Sequence, residues 1–492
     1  MSIAVEVEID NGKTGNFSDL CKTAWQVAME IGRELIRQAL EKADDELRKK
    51  RDRNRYRNKG KKPTSIKTKL GVVEYRRSVY MDNAAPERNR YVYLLDEALG
   101  LKTCGQMSEE VCQMAVQEAC ASSYREAAKE ISEMTGLAIS AQGVWNIVQK
   151  QGGKRRKQLE RFKELNQADA SPGTIESSLI YEENDGVWLP LQGKDRQKYG
   201  SKKEMKVGTA YDGETWEKMK GGKKRRTLHD KVAHASFESA EEFRKTKEGL
   251  IGSRYDTSCA KMRIIGGDGA GWTLKPSMKP SIRRESGVQV ITVLDKFHRN
   301  KKITECVQNA EFAALLRKKL YEKDVDTVLI LIEAQINSVE DEDEKSKLQE
   351  LLRYFTDNKD SLLGYYDRGI DIPETVEPGV VHHALLGSME SNVFTLIGNR
   401  MKGRRHCWSI NGANNLAALL CLKHTTGFED LSQGLAPLPV PEEPEDTGSP
   451  LSASQVPETI GKGSDFYCQA SLSDSPWLRG IASCLPLSQL RI

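Results

Sequence analysis

Between Gly173 and Asp295 the chain carries a series of β-prone runs, and several of them stop at an acid. Ser178–Tyr181 runs into Tyr181-Glu-Glu-Asn-Asp-Gly, Met262–Gly266 runs into Gly267-Asp268-Gly, and Gly287–Leu294 ends at Asp295. Val187–Leu191, Met205–Tyr211 and Val232–Phe237 are further strand candidates, set apart by the basic loops Lys194–Lys203 and Lys218–Arg226. From His298 to about Gly369 the pattern turns helical, with Val325–Ile336 and Lys345–Phe355 joined by the acidic turn Glu340–Glu344. A helix carrying Glu390 to about Arg400 follows, then an apolar helix over Gly412–Leu422. Strands first, then strands alternating with helices, predict an α/β fold with a mixed sheet interrupted by an all-helical block.

Ahead of this sheet the chain is mainly helical. Phe17 to about Arg57 carries Ala24, Val27, Ile31, Leu35 and Leu40 at helical spacing. It runs into Arg48–Lys62, which holds ten Lys or Arg against Asp52 alone. Ser65–Tyr75 and Arg76–Tyr80 alternate like a β-hairpin. A second helical block spans Ser108 to about Gln151. Within it Tyr124–Met134, a turn at Gly136 and a helix Ala141–Gln151 capped by Ser140 follow the helix-turn-helix plan. That plan also fits a helical hairpin with no binding role.

The whole chain carries +4, but from Gly427 onward nine acids face three bases. With −6 there, residues 1–426 carry +10. A body this basic predicts a polyanionic partner. On that reading Arg48, Lys49, Lys50, Arg51, Arg53, Arg55 and Arg57 contact phosphates. Gln142, Asn146, Gln149 and Lys150 present the second helix of the motif to a DNA groove. The ten cysteines include no Cys-x-x-Cys pair, which argues against a zinc finger and a disulfide scaffold. The amino terminus lacks a secretory pattern and no apolar run is long enough to span a bilayer, so a cytoplasmic, nucleoid-associated protein is expected. Pro and Ser with excess acid after Gly427 predict a disordered tail.

Asp185, Asp268 and Glu390 are the acids that point to chemistry. Gly266, Gly267, Gly269 and Gly271 crowd Asp268, and glycines of this kind permit close approach of a backbone or a phosphate. Arg400, Lys402, Arg404 and Arg405 follow Glu390 and suit a phosphate backbone. Three carboxylates converging at a sheet edge can hold two divalent cations about 3.5–4 Å apart, an arrangement that cleaves phosphodiesters. Asp295 and His298, three residues apart after a strand, either orient a scissile phosphate or brace the sheet edge.

Tyr181-Glu-Glu-Asn-Asp-Gly-Val-Trp, Gly267-Asp-Gly-Ala-Gly-Trp, Leu294-Asp-Lys-Phe-His, Glu390-Ser-Asn-Val and Arg404-Arg-His-Cys-Trp-Ser occur in this order. Together with Tyr93-Leu-Leu-Asp-Glu-Ala-Leu-Gly-Leu they resemble the ISLre-type insertion-sequence transposases of bacteria, a group similar to the mutator-type DDE transposases. The resemblance covers roughly Lys42 to His424. It implies an RNase H-like mixed-sheet catalytic domain with an all-α insertion, preceded by a mainly helical DNA-binding region. It also implies Asp185, Asp268 and Glu390 as a triad for two Mg²⁺ (Mn²⁺ as substitute), with Asp295 and His298 beside it. Glu183 competes with Asp185 as the first ligand. The implied reaction is cleavage and strand transfer of double-stranded DNA by a homodimer or higher oligomer, without a membrane. An RNase H-like nuclease and an inactive DNA-binding regulator are the alternatives. The expected segments are 1–106, 107–172, 173–298, 299–375, 376–426 and 427–492.

Overall fold

The computed structural model describes residues 16–85, 90–101, 107–219, 221–274, 287–375, 377–383, 386–403 and 406–428. The tail expected to be disordered falls outside them beyond Phe428.

Helix α1 (Phe17–Lys50) begins where the Asn16 side chain accepts the backbone N–H of Asp19 at 3.0 Å. It stops at Lys50, short of the expected Arg57, because the chain turns at Asp52–Arg55 into a hairpin strand. Tyr56–Thr68 pairs antiparallel with Gly71–Asp82 across a two-residue turn. The basic stretch therefore divides between a helix end and an edge strand. Leu40 of α1 packs with Ile66, Val73, Tyr75 and Leu95 as a small core of its own.

After a one-turn helix at Leu94–Ala98 come three longer helices: α2 (Glu109–Ala121), α3 (Tyr124–Thr135) and α4 (Ala141–Gln167). Ser123 and Glu126 form a reciprocal capping box on α3, Gly136 ends it at φ +69, and Ser140 caps α4. Helix α4 runs sixteen residues past the expected Gln151, because Leu159 and Leu165 extend its buried stripe.

The central sheet has five strands: β1 (Leu179–Pro190), β2 (Lys202–Tyr211), β3 (Val232–Ser236), β4 (Met262–Gly267) and β5 (Gln289–Leu294). Their order is β3-β2-β1-β4-β5. The first three are antiparallel, and β4 and β5 run parallel to β1. This is the mixed α/β sheet expected. One detail differs: the two runs Ser178–Tyr181 and Val187–Leu191 are one continuous strand through Asp185-Gly186, because β2 pairs with β1 without a break from Tyr181 to Pro190. Helix α5 (Ala240–Arg254) covers one face with Phe243, Leu250 and Ile251.

After β5 come four helices, α6 (Lys296–Cys306), α7 (Ala310–Tyr321), α8 (Val325–Ser338) and α9 (Glu342–Asp357). They enclose a core of Leu316, Val328, Ile332, Leu348, Leu351 and Phe355. Two more helices return to the sheet, α10 (Met389–Val393), continued to Met401, and α11 (Ile410–Lys423). Residues of α2, α3, α4, β1, β2, β3 and α11 share one continuous core, so the helical block before the sheet is built onto it.

Candidate active site

The register of the three parallel strands decides what meets at their ends. Gly267 of β4 pairs with Asn184 of β1 and with Leu294 of β5. The next residue on each strand is an acid: Asp185, Asp268 and Asp295. Parallel pairing thus puts three carboxylates side by side at one sheet edge. They line a cavity of about 250 Å³ together with Glu183 and His298.

Each acid is held differently. Asp185 accepts the backbone N–H of Gly186 at 2.6 Å. Burial pushes its carboxyl up to about 6, with Asp268 and Asp295 adding repulsion. One Asp268 oxygen accepts the N–H of Ala270 and the hydroxyl of Thr273, both at 2.9 Å. The left-handed Gly269 (φ +83) turns the chain beneath Tyr354, whose hydroxyl donates to the Asp268 carbonyl at 2.6 Å. Asp295 caps α6 through the N–H of Phe297 at 2.8 Å and lies 3.4 Å from Nδ1 of His298. Burial alone would push Asp295 up, but His298 and the cap hold it below the usual carboxylate range. The same hydrogen bond raises His298, with Asp185 and Asp268 contributing.

Alternation along β1 separates its four polar residues by face. Glu183 shares a face with Asp185 and borders the cavity, but it is buried. Its carboxylate accepts from Tyr211 Oη at 2.5 Å, from the backbone N–H groups of Gly387 and Ser388 at 2.8 and 2.9 Å, and from the Ser388 hydroxyl. With these lone pairs occupied, Glu183 is an anchor for the turn that starts α10. Of the two candidates for first ligand, Asp185 is the one with a free edge on the cavity.

On the opposite face Glu182 is wholly buried with Lys247 at 2.6 Å and Arg263 at 2.7 Å. Burial would raise its carboxyl, yet the two cations hold it low. Lys247 also donates to Asn184 at 2.7 Å, Asn184 donates to the Thr273 carbonyl at 3.2 Å, and Thr273 holds Asp268. A continuous polar chain thus runs from the back of the sheet to the Asp268 loop. Nothing local in the sequence marks Lys247, Thr273 or Tyr354, because their roles exist only across elements.

Glu390 stands apart. It is exposed in the first turn of α10, and its neighbours Gly387 and Met389 line the cavity while it does not. Arg400 is buried: it donates to the carbonyl of Ala119 at 2.7 Å and lies over Tyr124 and Trp408. It is therefore a packing residue rather than a phosphate contact. Lys402 is exposed, and Arg404 and Arg405 fall outside the described residues. Arg48, Lys49, Lys50, Arg53 and Arg57 are exposed. Arg51 is spent on the Tyr56 carbonyl and Arg55 on Asp82. On α4, Gln142, Asn146 and Lys150 are exposed, whereas Gln149 accepts from Asn415 of α11.

Among the described residues one set of three ligand-bearing side chains brings donor atoms within 4.8 Å of one another: Asp212, His229 and Asp230. His229 bonds Asp212 at 2.8 Å, and Arg254 pairs with Asp230. These charges already neutralise each other, so we read the group as an ion-pair network at the base of the hairpin Gly213–Lys218/Lys224–His229.

Similar chains occur in Caldanaerobacter subterraneus subsp. tengcongensis. UPF0236 protein TTE2489 is 23% identical over 406 residues, which cover 81% of this chain and 80% of that protein. A UPF0236 protein carried under eleven locus designations, beginning with TTE0033, is 23% identical over 405 residues, covering 81% of this chain and 79% of its own. UPF0236 protein TTE0402 is 23% identical over 406 residues, covering 81% and 75%. No described helix is long and apolar enough to cross a membrane. The profile of the family described as "Uncharacterised protein family (UPF0236)" matches residues 10–430, and the chain belongs to that family.

Proposed function

We propose that the protein is a DDE-type transposase that cleaves DNA and transfers the strands of an insertion sequence, recognising its terminal inverted repeats. The observation that carries this reading is the row of Asp185, Asp268 and Asp295 at the ends of three parallel strands. An antiparallel trio continued by two parallel strands, with a helical block inserted after the last, is the layout that an RNase H-like domain with an all-α insertion calls for. Fold analogy alone would not give the activity; the site must.

The donor types suit divalent metal, although their ligand atoms do not all lie within 4.8 Å of one another as those of Asp212, His229 and Asp230 do. Hard oxygen ligands suit Mg²⁺ or Mn²⁺, and the mutual repulsion of three clustered carboxylates is relieved by a cation. Asp185 and Asp268 would hold the ions. Glu390 would complete the set from the turn that Glu183 fastens, one residue past the cavity wall at Met389. Bound there, the metals would supply activation of water or a 3′-hydroxyl and stabilise the leaving oxygen. His298, whose pKa the hydrogen bond to Asp295 raises, would offer a ring N–H donor to a scissile phosphate. Exposed Arg48–Lys50, Arg53 and Arg57 offer phosphate contacts, and the open face of α4 offers Gln142, Asn146 and Lys150 to a groove.

The multiple locus designations of one relative within a single genome also suit a mobile element. The test is an excision and joining assay on a short element bounded by the two DNA segments that flank the coding region. Wild-type chain should give Mg²⁺-dependent cleavage and joined donor–target products, and Asp268→Asn should give neither while still binding the ends. Cleavage without joined products would favour a plain RNase H-like nuclease. Binding without cleavage by the wild type would favour a DNA-binding regulator.

A further inference from the structure

The first half of α1 has an apolar stripe that is largely exposed: of its six residues only Ile31 is half-buried. Phe17, Cys21, Ala24, Ala28, Ile31 and Leu35 recur at spacings of four and three, the a/d pattern of a paired helix. The body binds a different face of the same helix. Met29, Ile36 and Leu40 turn inward, Arg33 donates to the Leu70 carbonyl at 3.0 Å, and Gly32 sits against the Leu70 side chain at the hairpin turn. N-terminal to that point only Met29 is buried. Phe17 is 79% exposed and Trp25 is 62% exposed. A helical extension of this length is marginal in water without a partner.

We propose that this half-helix pairs with the same segment of a second copy, antiparallel, about a two-fold axis near Gln26. The stripe is self-complementary in that register. Phe17 meets Leu35 of the other copy, Cys21 meets Ile31, and Ala24 meets Ala28. Small residues at the waist let the helices approach to about 8 Å, and the bulky residues close both ends. The two Trp25 rings flank the axis. Asp19, Lys22 and Glu30 all lie off the stripe, so no charge is buried in the seam. Antiparallel pairing also sets the helix dipoles head to tail and puts the two bodies, attached from Gly32 onward, at opposite ends. A parallel pair would bring both bodies to the same end. Four aromatic side chains of roughly 150–250 Å² each bring the buried area close to about 1,000 Å², where specific interfaces begin. The contact is isologous, so it closes as a dimer.

The experiment uses the full chain without DNA, so its result is independent of the transposase reading. Sedimentation equilibrium should show a dimer at micromolar concentration. Ala28→Glu, at an exposed position that folding does not need, should weaken the dimer at least tenfold with an unchanged melting curve for the body. Register is tested by mixing Ala24→Cys chains with Ala28→Cys chains and mapping the disulfide after oxidation. A 24-to-28 cross-link between the two kinds supports the pairing. A wild-type monomer, a dimer indifferent to Ala28→Glu, or a dominant 24-to-24 cross-link would each overturn it.

Discussion

Tyr354, on the last helix of the insertion, donates its hydroxyl to the backbone carbonyl of Asp268 at 2.6 Å. Its ring also covers Gly269, where an added Cβ would meet it at 2.9 Å. The helical insertion therefore braces the loop that carries a central acid of the site. Tyr354→Phe keeps the ring and removes one hydrogen bond. It should cost about 1 kcal/mol of stability and weaken Mn²⁺ binding severalfold by titration calorimetry. Unchanged affinity would show that the loop holds its shape without the insertion.

Glu183 and Asp185 share a face of β1 yet should respond in opposite ways to loss of charge. Glu183→Gln places an amide against donors that need an acceptor, so it should destabilise the chain by about 2–4 kcal/mol in denaturant melts. Asp185→Asn should leave the fold intact and abolish tight Mn²⁺ binding. A stable Glu183→Gln variant that had lost metal would reverse the two roles.

Much of this arrangement was legible in the sequence and some was not. Asp185, Asp268 and Asp295 were visible because each ends or interrupts a β-prone run, a local pattern. Their alignment needed the register of β4 against β1 and β5, which no local pattern encodes. Ser178–Tyr181 and Val187–Leu191 read as two runs broken by polar residues, yet the strand continues through them because β2 supplies a partner from Tyr181 to Pro190. Arg400 reads as a phosphate contact by charge. Its burial depends on Ala119, Tyr124 and Trp408, which approach from distant segments. Lys218–Arg226 reads as a basic loop, yet Lys218 and Lys224–Arg226 belong to the ladder Gly213–Lys218/Lys224–His229, whose outer end is exposed Lys and Arg rather than apolar alternation.

The raised carboxyl of Asp185 fixes a pH dependence. Burial moves it from 3.8 to about 6, so the folded chain binds that proton more tightly than the unfolded chain. The stabilising contribution is complete below the unfolded value and is lost as pH rises through about 6. Without metal, Asp185→Asn should therefore melt higher than wild type at pH 8, by about 1–2 kcal/mol allowing for partial exposure. The two should converge near pH 4. Calorimetric melts across that range in a chelator decide it; a constant difference at all pH values would remove Asp185 as its source. Added Mg²⁺ at pH 8 should stabilise wild type and leave the Asn variant unmoved.

Behind the sheet, the buried set Glu182, Lys247, Arg263 and Asn184 behaves as one unit. Lys247 is 1% exposed and Glu182 is 0% exposed, so neither charge has water to fall back on. Lys247→Met leaves Glu182 with Arg263 as its one remaining cation in the cluster and frees Asn184 Oδ1. The cost should be about 3–5 kcal/mol. Pairing it with Glu182→Gln removes the excess negative charge, and the double variant should recover part of that loss. Because Asn184 also holds the Thr273 carbonyl, and Thr273 holds Asp268, the single variant should weaken Mn²⁺ binding as well, and the double variant should not restore it. Denaturant melts and metal titrations on wild type, Lys247→Met, Glu182→Gln and the double variant separate the two effects. Full recovery of metal binding in the double variant would mean that Lys247 serves charge balance alone and does not position the Asp268 loop.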